Sequence, residues 1–144
     1  MTTYRNPTPT VDVIVHRPDD KRQVLLIERR NPPHGWALPG GFLDYGEFAF
    51  DGAIREVMEE TGLDVSGSTY QLFHAYSDPA RDPRQHNLSL VFLAESDGTP
   101  HAADDANKAR FHSLDALPSL AFDHATILSD YEAFLGGTRP PARR

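Results

Sequence analysis

Residues 41–63 read GFLDYGEFAFDGAIREVMEETGL, and this stretch decides the fold. Phe50, Ala53, Ile54 and Val57 stand at offsets 0, 3, 4 and 7, the spacing of one apolar stripe on a helix. The stripe predicts a helix over residues 47–61, with Gly62 just past its end. Gly52 falls inside it and costs about 1 kcal/mol relative to alanine, so close packing or function must tolerate it. Glu56, Glu59 and Glu60 are three and four residues apart. At about 100° per residue they share one arc beside the apolar stripe, on a face expected to be exposed. Like charges so placed repel, and a cation relieves them. Hard divalent cations take oxygen ligands, and magnesium commonly uses one or two carboxylates, waters and substrate phosphates. Arg55 can pair with Glu59 one turn on, or with Glu47 at the helix start, and so orient the acidic group. Glutamates also populate solvated helix faces, so this triplet alone does not decide between a metal platform and an acidic surface.

Outward from the helix, the chain reads as strands. Residues 10–16, TVDVIVH, alternate enough for a half-buried strand. Residues 23–28, QVLLIE, suit a buried strand, and the polar residues 17–22 between the two suggest a hairpin. Residues 31–35, NPPHG, break the chain; residues 36–39 are expected to form a brief strand, and Gly40-Gly41 permit unusual backbone. Strands are expected at 70–75 and 88–94, joined by the charged loop SDPARDPRQHN with its two prolines, and again at 106–112. Asp123 is a candidate N-cap for a second helix, whose face carries Ile127, Tyr131 and Phe134 and which Gly136-Gly137 end. The expected architecture is α+β, with a mixed sheet sandwiched between helices, as a single domain over residues 1–144 whose tail frays from about 138.

Composition narrows function. The chain has 144 residues, 39% of them hydrophobic, a formal charge of −7 and no cysteine. Disulfides, zinc ribbons, iron–sulfur clusters and thiol nucleophiles are therefore excluded. Duplex nucleic-acid binders usually carry a basic face, so the acidic balance argues against nucleic acid as a partner. No apolar run reaches the roughly 20 residues that span a bilayer, and no secretory h-region opens the chain, so no membrane partner and a cytoplasmic location are expected. Of the 14 basic residues, only Lys21 and Lys108 are lysine. Arginine forks suit phosphates and carboxylates. The seven histidines show no paired metal spacing, and His74 and His86 read as polar fillers.

Gly41, five residues, Glu47, seven residues, Arg55-Glu56-Val57, one residue, Glu59-Glu60, one residue, then Gly62-Leu63 reproduces the Nudix box, G-x5-E-x7-R-E-U-x-E-E-x-G-U with U aliphatic, at every fixed position. The sequence resembles the Nudix hydrolases, with Gly52 standing where the family often has alanine. The resemblance implies a fold of helices around a mixed sheet, and hydrolysis of a nucleoside diphosphate linked to another moiety with Mg2+, or alternatively Mn2+. It implies Glu56 and Glu60 as principal metal ligands, and Glu59 as a further ligand or as the base that activates water. Gly40, through its carbonyl, and Gly41 belong to the loop that helps hold metal; Glu47 and Arg55 form the orienting pair. Asp105 is a candidate base from outside the box, where a surface acidic pair with Asp104 is the alternative. Trp36 reads as a packing residue. Pro79, 16 positions after Leu63, is similar to the pattern of ADP-ribose pyrophosphatases, with Gln85 departing from the glycine of many relatives. Arg81 and Arg84 either bind substrate or pair with Asp78 and Asp82; one of Arg29 and Arg30 is expected to reach substrate, with Arg29 the candidate. The substrate so implied is ADP-ribose, split into AMP and ribose 5-phosphate. The alternatives are a nucleotide sugar, NADH, a dinucleoside polyphosphate or an oxidised nucleotide, or a non-catalytic nucleotide-sensing module. Relatives are often homodimers.

Overall fold

The computed structural model describes residues 3–104 and 106–142. In chain order the elements are β1 (Thr8–His16), β2 (Gln23–Arg29), β3 (Gly35–Ala37), β4 (Gly40–Phe42), α1 (Ala49–Thr61), β5 (Gln71–Tyr76), β6 (Asn87–Glu95), β7 (Ala106–Ser113), a 3₁₀ turn (Leu114–Ala116) and α2 (His124–Leu135). Among the described residues seven strands form one mixed sheet in the order β3-β2-β1-β6-β5, with β4 added to β1 and β7 to β2. The long parallel partnership is β1 with β6, nine residues in register from Thr8↔Asn87 to His16↔Glu95. Every other strand–strand pairing among the described residues is antiparallel. The chain thus forms the expected α+β sandwich; the brief strand predicted at 36–39 is β3, ending at Ala37, and Gly40–Phe42 forms a further strand, β4, that the sequence did not suggest.

Strand alternation divides the core into two layers. Val11, Val13 and Val15 of β1 pack with Leu25, Ala53 and Val57, placing α1 on one sheet face. Ile14 packs with Val24, Leu26, Leu93, Ile127 and Tyr131, placing α2 on the other. Asp12 and His16 share Ile14's alternation and are likewise buried. Trp36 packs against the α2 layer, as its packing role predicted.

Helix α1 starts at Ala49, two residues later than expected, because Glu47 is drawn into a turn that accepts from the Asp44 N–H. It ends at Gly62, which takes φ 73° and donates its N–H to the Met58 carbonyl. The buried face is rotated from the apolar stripe: Gly52, Ala53, Glu56, Val57, Glu60 and Thr61 are inside, whereas Phe50 is 41% exposed. A Cβ at Gly52 would sit 2.7 Å from the Leu43 side chain and 2.9 Å from Glu47 Oε1, so close packing accounts for that glycine. Asp123 occupies the N-cap position of α2 but makes no capping hydrogen bond; its carboxylate accepts Arg81 instead. No helix among the described residues is long and apolar enough to cross a membrane.

Candidate active site

Strand β4 places backbone where side chains cannot fit. Its register against β1 is Thr10↔Phe42, Val11↔Gly41 and Asp12↔Gly40. A Cβ on Gly40 would collide with the Val11 carbonyl and the Asp12 carboxylate. A Cβ on Gly41 would stand 2.7 Å from Glu56 Oε1. The glycine pair therefore lets the β4 backbone lie directly against the acidic face of α1.

That face is not the exposed surface expected from the sequence. Glu56 and Glu60 are each only 8% exposed, because the apolar seam of α1 continues beneath β4 and draws them in with it. Their carboxyls lie close enough to influence each other, and the Gly40 backbone lies beside Glu60. Burial, then the neighbouring Glu56, holds the Glu60 carboxyl far above the usual carboxylate range; burial also raises Glu56, against the pull of Arg55. Glu60 Oε2 is buried with no hydrogen-bond partner. A buried carboxylate oxygen without a donor is costly, and a cation is its natural complement. Two hard oxygen donors, an orphaned lone pair and adjacent backbone fit a divalent cation of the magnesium type.

Arg55 ties the group together. Its Nε and Nη2 donate to the two Glu47 oxygens at 2.7 and 2.9 Å, and Nη1 donates to Glu56 at 2.9 Å and to Glu59 at 3.2 Å. Nη2 also reaches the Phe42 carbonyl at 3.1 Å, joining α1 to β4. Both pairings read from the sequence are thus present. The Arg55 hydrogen bonds, aided by the Asp44 N–H, hold the Glu47 carboxyl down at about 2. Glu59 is turned onto Arg55, and its side chain is 44% exposed. Among the described residues no three carboxylate or imidazole groups converge as a ready cation cage; Glu56 and Glu60 converge, and Glu59 is held aside.

Next to Gly40 and Gly41 opens a cleft walled by Arg29, Arg84, Phe42 and Phe122 and floored by Asp12 and His124. Arg29 donates to the Pro33 carbonyl at 2.8 Å and carries its guanidinium 4.9 Å from the Phe122 ring. Arg84 pairs with Asp82 at 2.8 Å and lies over both Phe42 and Phe122. Arg81 reaches the cleft wall, but its side chain is 3% exposed and its fork is committed to Asp123 at 2.8 and 3.0 Å. Of the alternatives left open by the sequence, Arg84 takes Asp82, while Arg81 takes a partner that sequence proximity could not suggest. Pro79 is exposed in the preceding loop and is not among the residues lining the cleft. Asp105 lies outside the described residues.

Sequence reasoning missed the polar floor. Asp12 accepts from Ser89 and stands 3.8 Å from Arg81 and 3.7 Å from His124 Nε2. Burial pushes its carboxyl up to about 7, against the attraction of Arg81. His124 Nδ1 accepts the Leu38 N–H at 3.0 Å, so its proton sits on Nε2 facing Asp12. Burial, with Arg81 and Arg29 nearby, lowers the His124 imidazole to about 3. The signal for Asp12 was present as a lone charge inside the apolar run of β1. His124 carried no signal of its own.

A mixed sheet between two helices, with the box helix laid against a glycine strand, is the Nudix fold. It is shared with a MutT/nudix family protein of Enterococcus faecalis, which is 31% identical, has a TM-score of 0.77, and is matched over 89% of this chain and 61% of that one. The NUDIX domain pattern matches residues 6–131, and the chain belongs to that family and is a Nudix hydrolase. An ADP-ribose pyrophosphatase of Methanocaldococcus jannaschii is 43% identical over 137 residues, 93% of this chain and 78% of that protein. A bifunctional NMN adenylyltransferase/ADP ribose pyrophosphatase of Francisella tularensis, solved with AMP and a manganese ion, is 26% identical with a TM-score of 0.79, over 92% of this chain and 43% of that one. The chain thus spans less than two thirds of both structural relatives. Nudix hydrolases use divalent metals.

Proposed function

We propose that this protein hydrolyses ADP-ribose to AMP and ribose 5-phosphate, with Mg2+ as working metal and Mn2+ as the alternative. The observation that carries the metal-dependent chemistry is the buried Glu56–Glu60 pair, with its partnerless Glu60 oxygen, beside a cleft of arginines and aromatics. The choice of ADP-ribose is supported by the 43% identical relative of that name. Glu56, Glu60 and the Gly40 carbonyl would hold the metal, joined by Glu59 once it leaves Arg55. Bound there, the metal would neutralise phosphate oxygens and lower the pKa of water.

The chain's own residues do the rest. Arg55 keeps Glu56 facing the site and holds Glu59 in reserve beside it, while Glu47 fixes the guanidinium. Glu59 or Glu60 takes the proton of the attacking water, with Asp105 as the candidate outside the box. The water oxygen bonds to one phosphorus of the diphosphate, the bridging P–O bond breaks, and the leaving phosphate retains the electron pair. Arg29 and Arg84 line the cleft that receives the organic part of the substrate, and Arg81 holds the 78–84 loop against Asp123 to shape it. The acidic net charge is no obstacle, because each divalent ion cancels two local negatives.

A panel of ADP-ribose, nucleotide sugars, NADH, dinucleoside polyphosphates and oxidised nucleotides, with phosphatase-coupled detection, tests this reading. ADP-ribose is expected to give the highest kcat/KM. A better substrate elsewhere in the panel overturns the substrate, and turnover of none overturns the activity.

A further inference from the structure

The backbone at Phe122 points to a role for its ring. Phe122 has φ 55°, left-handed backbone that bulky side chains disfavour and that persists only where the surroundings enforce it. The chain is pinned on both sides. The Ala121 N–H donates to the Trp36 carbonyl at 2.8 Å, Asp123 takes the Arg81 fork, and His124 takes the Leu38 N–H. Held in this way, the ring forms a wall of the cleft rather than joining the core beside Ala121 and Ile127.

Across the cleft stands Phe42, 45% exposed, on the strand that carries Gly40 and Gly41. The Arg84 guanidinium lies 5.8 Å from the Phe42 ring and 5.5 Å from the Phe122 ring, so one flat cation already addresses both aromatic faces. Arg29 approaches Phe122 from its own side at 4.9 Å. Aromatic faces and guanidinium planes stack on other flat π systems, whereas a sugar ring presents none. The cleft also reaches Gly41, which abuts Glu56. A ligand whose flat end lies here therefore leads its other end toward the acidic pair.

We propose that Phe122, with Phe42 and Arg84, forms the subsite for the aromatic base of the substrate, and that Phe122 is a specificity-determining residue. The proposal rests on the nucleoside diphosphate reading given above. It assigns the nucleoside half, rather than the ribose 5-phosphate half, to the cleft between the two phenylalanines.

The test titrates AMP and, separately, ribose 5-phosphate into the full chain by calorimetry in magnesium buffer, for wild type, Phe122→Ala, Phe122→Tyr and Phe42→Ala. Loss of one stacking partner is expected to weaken AMP about 5- to 150-fold in both alanine variants while ribose 5-phosphate binding stays unchanged. Phe122→Tyr keeps the π face and is expected to stay within about threefold of wild type. Phe42 is exposed enough that its alanine variant reads out the subsite even where Phe122→Ala fails to fold. Unchanged AMP affinity, or an equal loss for both ligands, overturns the proposal. Turnover of ADP-ribose by wild type, measured alongside, separates the two readings. Selective loss of AMP with no turnover would sink the activity and leave the subsite standing. Normal turnover with unselective variants would do the reverse.

Discussion

Replacing Glu60 with glutamine should make the metal-free protein more stable and the enzyme nearly inactive. The carboxyl is buried, its Oε2 has no hydrogen-bond partner, and burial together with Glu56 raises its pKa above the ordinary 4.5. The sign follows from linkage. Below pH 4.5 the group is protonated folded or unfolded and contributes nothing. Above it, the unfolded chain releases the proton while the folded chain retains it, so stability falls as pH rises until the folded group also ionises. Each pH unit in that window costs at most about 1.4 kcal/mol, and sharing of the proton with Glu56 reduces this. Glutamine is nearly isosteric with the protonated acid and does not titrate. At pH 7 in chelator, Glu60→Gln should therefore gain about 1–3 kcal/mol, a rise of roughly 3–10 °C in Tm. At pH 4.5 the gain should vanish. Divalent metal should reverse the order at pH 7, because it stabilises only the chain that holds it well. Thermal melts at both pH values, with chelator and with magnesium, check this beside a turnover assay. A variant less stable than wild type at pH 7 in chelator, or one stabilised by magnesium as much as wild type, would refute the reasoning.

Three further outcomes are expected. Arg55→Lys loses the two-pronged grip on Glu47, because a point charge cannot replace the fork; kcat should drop about 10-fold or more with little change in Tm, and an unchanged kcat would contradict the orienting role. Gly40→Ala must push a methyl group into the Val11 carbonyl and Asp12, costing about 1–3 kcal/mol, read as a lowered urea midpoint; an unchanged midpoint would show that β4 yields freely. His124 stays neutral in the folded protein down to about 3 but charges near 6.5 when unfolded. The unfolded state therefore binds the extra proton between those values, and stability should fall by up to about 1.4 kcal/mol per unit as pH drops from 6.5. An NMR titration showing the His124 ring protonating near 6 would contradict this.

The box helix was legible because its signal is local: period, carboxylate spacing and the closing Gly62 all lie within 23 residues. The five longer strands were legible to within two residues for the same reason, as runs such as QVLLIE carry their burial in composition, whereas the glycine strand β4 carried no such run. What sequence could not reveal depends on contacts across the chain. Glu56 and Glu60 looked solvent-facing because nothing local says that β4 will cover them. Asp123 looked like a helix cap, yet Arg81, 42 residues earlier, claims its carboxylate. The Phe122 wall and the Asp12–His124 floor come from two segments, β1 and the start of α2, that meet only once the sheet has formed.

The central claim is that Glu56 and Glu60 hold a divalent ion. Titrating Mn2+ into the protein while following the electron paramagnetic resonance signal of free manganese tests it directly. Saturable uptake should appear in wild type and weaken at least 10-fold in both Glu56→Gln and Glu60→Gln. Uptake that is absent from wild type, or that survives both substitutions unchanged, would contradict the account.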